Sequence, residues 1–477
     1  VTFAGLAYFR MARLTAKHGW CEVTAYAFAG YGFLLASMGQ EDEAFRFAEL
    51  ALGSTRTDFA RPEVIMMVHA FLAHFQKPVN MSLQPLLAGY RSGLETGDTM
   101  CGTICMSVYA HVFFFSGLSL ATLATDMRQF AYQLKLCQQN LALAFVIPCE
   151  QLALNLSGET EDPIDVSPES MKRDLESYHD ELFNETSTSE DVPLSMALYF
   201  KAFSAYLFND LDVAKETIDK LLARKTKRLD GTQIMNIFFA FVDGIVSFAL
   251  IRSNKRKAGK YRALAKASMK ELGRYAKKRS LNVAGLLSLL LAEKASLSEK
   301  NPEVLRKKYG EAIRQLTQGG FVHFSAIANE LAAMRMIEAN DEYWAEFYLI
   351  LAAEKYVAWG AVAKVRDMKK HHPVVAEKGP NTDKAQLAVD SSKRGSSQFD
   401  SNVDSLTGAS RFSHIGSLKA SAVSGSVLGQ SSIIAGSTNL SASTIADKLT
   451  FGESQHSSLT QRSSQHSSQR SSLTPGA

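Results

Sequence analysis

The sequence predicts an all-α protein: an α-α superhelix of stacked helical hairpins, followed by a disordered Ser-rich tail. Three observations lead there. Ala, Leu, Phe and Met are abundant, Pro is scarce before the tail, and alternating polar/apolar runs are nearly absent. Apolar residues recur at i, i+3, i+4 and i+7 in one segment after another, the spacing of an amphipathic helix. Small residues recur at positions where two antiparallel helices must lie close together.

The stretch from Phe321 to Pro373 shows all three. A helix over about Val322–Glu338 places Ala326, Ile327, Leu331, Met334 and Ile337 on one side. The polar gap Ala339-Asn340-Asp341-Glu342 opens a second helix to Trp359, with Ala345, Leu349, Ala352 and Tyr356 at the same period. With Ala333, this matches a tetratricopeptide-like (TPR-like) hairpin of ~34 residues. Residues 23–53 read the same way. Helix Val23–Met38 carries Phe28, Tyr31, Gly32 and Leu35, Gly39 stops it, and helix Glu43–Leu52 carries Ala44, Phe47, Ala48 and Ala51.

Before these, residues 1–19 form a helix with Phe3, Leu6, Phe9 and Leu14. Further helices are expected at about 62–76, 82–96, 99–115, 119–139 and 142–155, with Pro62 and Asp98 suited to helix starts and Gly97 and Gly158 to stops. Residues 1–157 are the first half of the array. Residues 158–191 break the rhythm with twelve Asp/Glu against Lys172 and Arg173, and read as a solvated acidic insertion with one helix, about Glu169–Phe183. The second half, 192–373, opens with a hairpin over 194–224 that turns at Asn209-Asp210. Helix Thr232–Ile251, apolar nearly all round, should be central, and helices at about Val283–Ser298 and Pro302–Thr317 follow. Stacked in this way, the hairpins should leave a concave wall open to water.

Beyond His371-His372-Pro373, residues 374–477 are rich in Ser and nearly free of aromatics. Such a segment cannot bury enough apolar area to offset its ordering entropy. Ser397, Ser464 and Ser472 follow an Arg within three positions, which makes them candidate sites for basic-directed kinases.

A net charge of +4 is small for 477 residues and selects no partner class. Five cysteines, an odd number, fit a reducing, cytoplasmic setting. Cys101 and Cys105 lie one helical turn apart but lack a matching His or Cys pair, so buried thiols are expected rather than a metal site. Thr99–Thr125 is apolar, yet Ser116-Gly117 divides it, which favours a buried helix and the start of the next over a membrane span. The chain begins at Val1 inside an apolar helical pattern and reads as a fragment of a longer polypeptide.

Residues 252–279 hold twelve Lys/Arg against Glu271 alone. Arg262, Lys266, Lys270, Arg274 and Lys278 step by four into one basic stripe, either a solvated face countering the acidic insertion or a dock for an acidic partner. Nucleic acid would want an aromatic platform, which the stripe lacks. Asp243 is the carboxylate of an otherwise apolar helix, and His371-His372 suits the negative end of a helix dipole. No phosphate-cradling Gly-Lys-Ser/Thr loop, His-Glu-x-x-His helix, Gly-x-Ser-x-Gly elbow or kinase catalytic loop occurs, so no catalytic, cofactor or metal residue is assigned.

Four ordered stretches resemble one family. They are Tyr8-Phe-Arg-Met-Ala to Lys17-His18-Gly19 with Ala29-Gly-Tyr-Gly and Arg46-Phe-Ala-Glu-Leu-Ala51; Gly93-Leu-Glu-Thr-Gly-Asp98 with Phe115-Ser-Gly-Leu-Ser-Leu120; Leu286-Leu-Ser-Leu-Leu-Leu-Ala-Glu293 with Tyr309-Gly-Glu-Ala-Ile313, Gly320-Phe-Val-His323 and Ala328-Asn-Glu330; and Tyr356-Val-Ala-Trp-Gly-Ala-Val-Ala-Lys-Val365. The order is similar to the tetratricopeptide-like region of giant signalling proteins. In those, a serine/threonine-kinase-like domain and an AAA-type ATPase precede the superhelix, and GAF and histidine-kinase modules often follow. The resemblance implies a non-catalytic region docking protein partners or neighbouring ATPase or kinase domains; the bare basic stripe and the divided apolar run add the expectation of neither nucleic acid nor membrane as partner. The alternative is a part of an ATP-dependent protein kinase, histidine or serine/threonine, whose catalytic domains lie outside this stretch.

Overall fold

Apolar periodicity of 3.6, interrupted every fifteen or so residues by a Gly, Asn or Asp, builds helices joined by very short turns. In the computed structural model, which describes residues 3–54, 61–167, 191–224, 233–254, 258–277, 280, 282–384 and 386, the described residues contain helices and no strand. The first half runs α1 (Phe3–His18), α2 (Thr24–Ser37), α3 (Glu41–Gly53), α4 (Pro62–Phe71), α5 (Leu83–Thr96), α6 (Thr99–Phe115), α7 (Leu120–Leu136) and α8 (Asn140–Ser157). The second continues with α9 (Asp191–Leu207), α10 (Leu211–Ala223), α11 (Met235–Ser253), α12 (Gly259–Lys277), α13 (Ala284–Ser296) and α14 (Pro302–Gln318). It ends in α15 (Val322–Glu338), α16 (Glu342–Trp359), α17 (Val362–His371) and the short α18 (Pro373–Lys378).

Consecutive helices pair: α2 with α3, α5 with α6, α7 with α8, α9 with α10, α11 with α12, α13 with α14, and α15 with α16. The tight turns share one device, a residue with positive φ followed by the next helix's cap. In both Asn209-Asp210 and Asn340-Asp341 the Asn takes φ 57°. The Asp side chain then accepts the backbone N–H of Val213 or Trp344, filling an orphan donor of the new helix. Asparagine tolerates the left-handed region better than other non-glycine residues, which is why this dipeptide can replace Gly at the turn.

The small residues of the repeats are buried contacts. A Cβ on Gly32 would meet the Ala44 carbonyl oxygen at 2.9 Å, so only Gly lets α2 lie this close to α3. Ala333, Ala345 and Ala352 are buried between α15 and α16. The expected helix over 62–76 instead ends at Phe71 and continues as a 3₁₀ turn, Ala73–Phe75. The helix expected at 169–183 and the tail from 387 onward lie outside the described residues.

The two halves share one continuous core, because α9 packs directly on α8 across the insertion, and α17 also packs on α8. The inner wall is therefore not the open, wet concavity expected from stacked hairpins. Phe114 of α6 is fully buried among the rings of Phe200 and Phe203 (α9), Phe238 (α11), His323 (α15) and Trp359 (α16). The physical reason is the composition of α6 and α11: helices apolar on every side need cover on every side, so the superhelix winds tightly enough to supply it. Among the described residues two helices, α8 and α11, are long and apolar enough to cross a membrane; 72% and 89% of their most apolar windows are buried within the helical packing.

Candidate docking surface and buried polar junction

Helix α12 alternates outward cations with inward apolar side chains. Tyr261, Ala265, Ser268, Leu272 and Tyr275 are buried, while Arg262, Lys266, Lys270 and Arg274 are exposed, so the four described members of the basic stripe do share one outer face. Lys278 lies outside the described residues, as do Ser397, Ser464 and Ser472. Arg274 is not free: its Nη1 lies 2.8 Å from the buried Glu41 carboxylate of α3, and its guanidinium stacks over Tyr275 at 4.7 Å. The stripe thus ends in a clasp to the first half, whereas Lys266 and Lys270 have no ionic partner among the described residues.

A second polar centre lies on the inner helices of the second half. Arg252 (α11) donates to Glu293 at 3.3 Å and to Ser296 at 2.7 Å, and lies 3.6 Å from Glu338. Arg335 holds Glu338 at 2.7 Å, and Tyr309 donates its hydroxyl to Glu293. One turn along α15, Lys364 of α17, only 3% exposed, lies 2.8 Å from Glu330, which also accepts from Tyr356 at 2.7 Å. Lys364 Nζ further donates to the Leu207 carbonyl at the end of α9. Burial, reinforced by Glu293, holds the Tyr309 phenol well above its usual range; burial and Glu330 do the same for Tyr356. With each carboxylate met by cations or phenols, the junction sets the register of α9, α11, α13, α15 and α17 rather than offering a free acid or base.

Among the described residues four imidazoles are buried. His69 faces Ser82 at 3.0 Å and His111 donates from Nε2 to the Phe145 carbonyl at 3.1 Å, while His74 and His323 have no hydrogen-bond partner for either nitrogen. Burial lowers His69 and His111 to about 4, and His74 and His323 to about 3. Cys105 is buried and Cys101 half-buried; burial raises both thiols, and no group of three His, Cys, Asp or Glu suited to a metal occurs among the described residues. Asp243 accepts the Tyr199 hydroxyl at 3.2 Å, a paired carboxylate within α11's apolar surroundings. His371, at the end of α17, turns its Nδ1 to the Asp367 carbonyl at 3.0 Å.

No family model matches this chain, and no curated protein matches it. The residues that sequence reading missed are those joining distant repeats. Asn282 bonds to the backbone of His74, Lys77 and Val79, and Glu41 reaches Arg274. Lys364 and Glu330 fall inside quoted stretches of sequence, yet nothing in their spacing shows that α17 folds back onto α8 and α9. An open groove of ≈ 860 Å³ beside the Asn209-Asp210 turn, lined by Asp210, Asp212, Lys215, Asn254 and Lys260, is a further surface feature. Its Lys260 is bound to Asp219 at 2.7 Å.

Proposed function

We propose that this chain is a helical-repeat docking region, without chemistry of its own, that binds partner proteins or neighbouring ATPase or kinase domains of a cytoplasmic signalling protein. The observation that carries the reading is the outer face of α12: cations in register, exposed, two of them unengaged, on a helix whose opposite face is locked into the core. A rigid helix presenting unspent charge suits recognition, because little ordering entropy is lost on binding. The ordered resemblance to the repeat region of ATPase- and kinase-containing signalling proteins points to the same class of partner. Docking would bias an ATPase or kinase switch only through different affinities for its two states, a linkage effect. The full chain, immobilised and exposed to purified AAA-type ATPase and histidine-kinase modules, is expected to bind one of them saturably. Absence of binding to every such module at micromolar concentrations, about the range of regulatory contacts, would overturn the proposal.

A further inference from the structure

The outer face of α12 has a finer structure than a row of charges. Between Arg262, Lys266, Lys270 and Arg274, the residues on the same outward arc are Gly259, Ala263, Ala267 and Gly273, with a further exposed cation, Lys277, in the last turn. Ala263 and Ala267 are exposed, and a Cβ on either Gly259 or Gly273 would meet nothing within 4 Å. The face is therefore smooth, with cations standing at successive turns above a floor of small residues. Its only aromatic side chains, Tyr261 and Tyr275, are buried and present no ring on which a base could stack. At one end the row already holds a carboxylate from another helix, Glu41 of α3, against Arg274.

We propose that this face, Arg262-Lys266-Lys270 with Ala263 and Ala267 between them, is the docking site for an acidic α-helix of a partner protein, laid along α12 and continuing the carboxylate pairing that Glu41 begins. The proposal rests on the docking reading above and gives it a surface and a partner chemistry. Carboxylates at i, i+4 along a helix repeat at the same spacing as the cations here, so the two rows pair without distortion. The small residues let the two backbones approach closely, and bringing charges together across a close contact strengthens and orients them.

The test uses the full chain and two synthetic helical peptides of equal composition. One carries Glu at successive i, i+4 positions; in the other the same Glu residues are scattered around the helix. Fluorescence polarisation is expected to show salt-sensitive binding of the aligned peptide, weakened about tenfold or more in K266E/K270E, with the scattered peptide binding less well. The Arg274→Gln chain, whose cation is already occupied, should bind nearly as wild type. Equal binding of both peptides, unchanged binding by K266E/K270E, or tighter binding of duplex DNA than of the aligned peptide would each overturn the proposal. If ATPase or kinase modules bind wild type and K266E/K270E equally, the docking reading stands and this face is wrong. Circular dichroism of K266E/K270E, expected to match wild type because both lysines are exposed, separates loss of binding from loss of fold.

Discussion

Single side chains decide how the distant parts of the superhelix meet. Lys364 is nearly sealed from solvent yet charged, held by Glu330 and the Leu207 carbonyl. Replacing it with Met removes the cation and leaves Glu330 with Tyr356 alone. We expect a loss of about 3–5 kcal/mol, the usual cost of breaking a buried pair from one side, read as a lower midpoint in urea unfolding; an unchanged midpoint would remove Lys364 from the list of structural ties. Gly117 stands at φ +69°, and a Cβ there would fall 2.3 Å from His323 Nδ1. Gly117→Ala should therefore cost about 1–3 kcal/mol through strain and displacement of the imidazole.

The buried histidines make stability depend on pH. His323 and His74 stay neutral in the fold down to about 3, while an unfolded imidazole takes up its proton near 6.5. The unfolded state thus binds more protons between these values, and stability falls as pH drops from about 6.5 toward 3, at about 1.4 kcal/mol per pH unit for each ring. Asp126, pushed up to about 6 by burial, works in the opposite direction over part of that window. In His323→Phe, the drop in unfolding free energy between about pH 7 and pH 5 should be smaller than in wild type. An identical drop in both proteins would show that His323 does not remain neutral in the fold.

At the scale of helices, most boundaries were legible because they rest on local chemistry. Asp98 caps α6 by accepting the Cys101 amide, Asn301 caps α14 ahead of Pro302, and Gly97, Gly158 and Gly360 take the left-handed turn that ends a helix. The basic stripe was legible for the same reason, since a period of four along one helix needs no knowledge of its neighbours. What was not legible is which helices meet across two hundred residues. Asn282 donates to the carbonyls of His74 and Lys77 at 2.8 and 3.0 Å and accepts from the Val79 amide at 3.1 Å. No local pattern marks it, because its partners are fixed by the pitch of the superhelix. Asn282→Ala would strand the Lys77 carbonyl and the Val79 amide, each costing about 1–3 kcal/mol, and would leave the His74 carbonyl to the Ser280 hydroxyl alone. Hydrogen exchange should accelerate around residues 73–82 and 282–290 together; acceleration on one side only would contradict the tie.

Over the whole molecule, tight winding turns an array of hairpins into one body with a filled axis. Two helices without a polar face, α6 and α11, draw the halves inward, and Phe114 is where rings from four other helices converge. The inner wall offers little to a partner along this axis, so recognition moves to outward faces such as that of α12. Hydrogen exchange of the backbone amides of α6 and α11 in the intact chain tests this most directly. Exchange of both helices only through global unfolding, at the slowest rate in the molecule, is the expected result. Fast, independent exchange in either helix, as for a wall lining a water-filled groove, would contradict the filled axis.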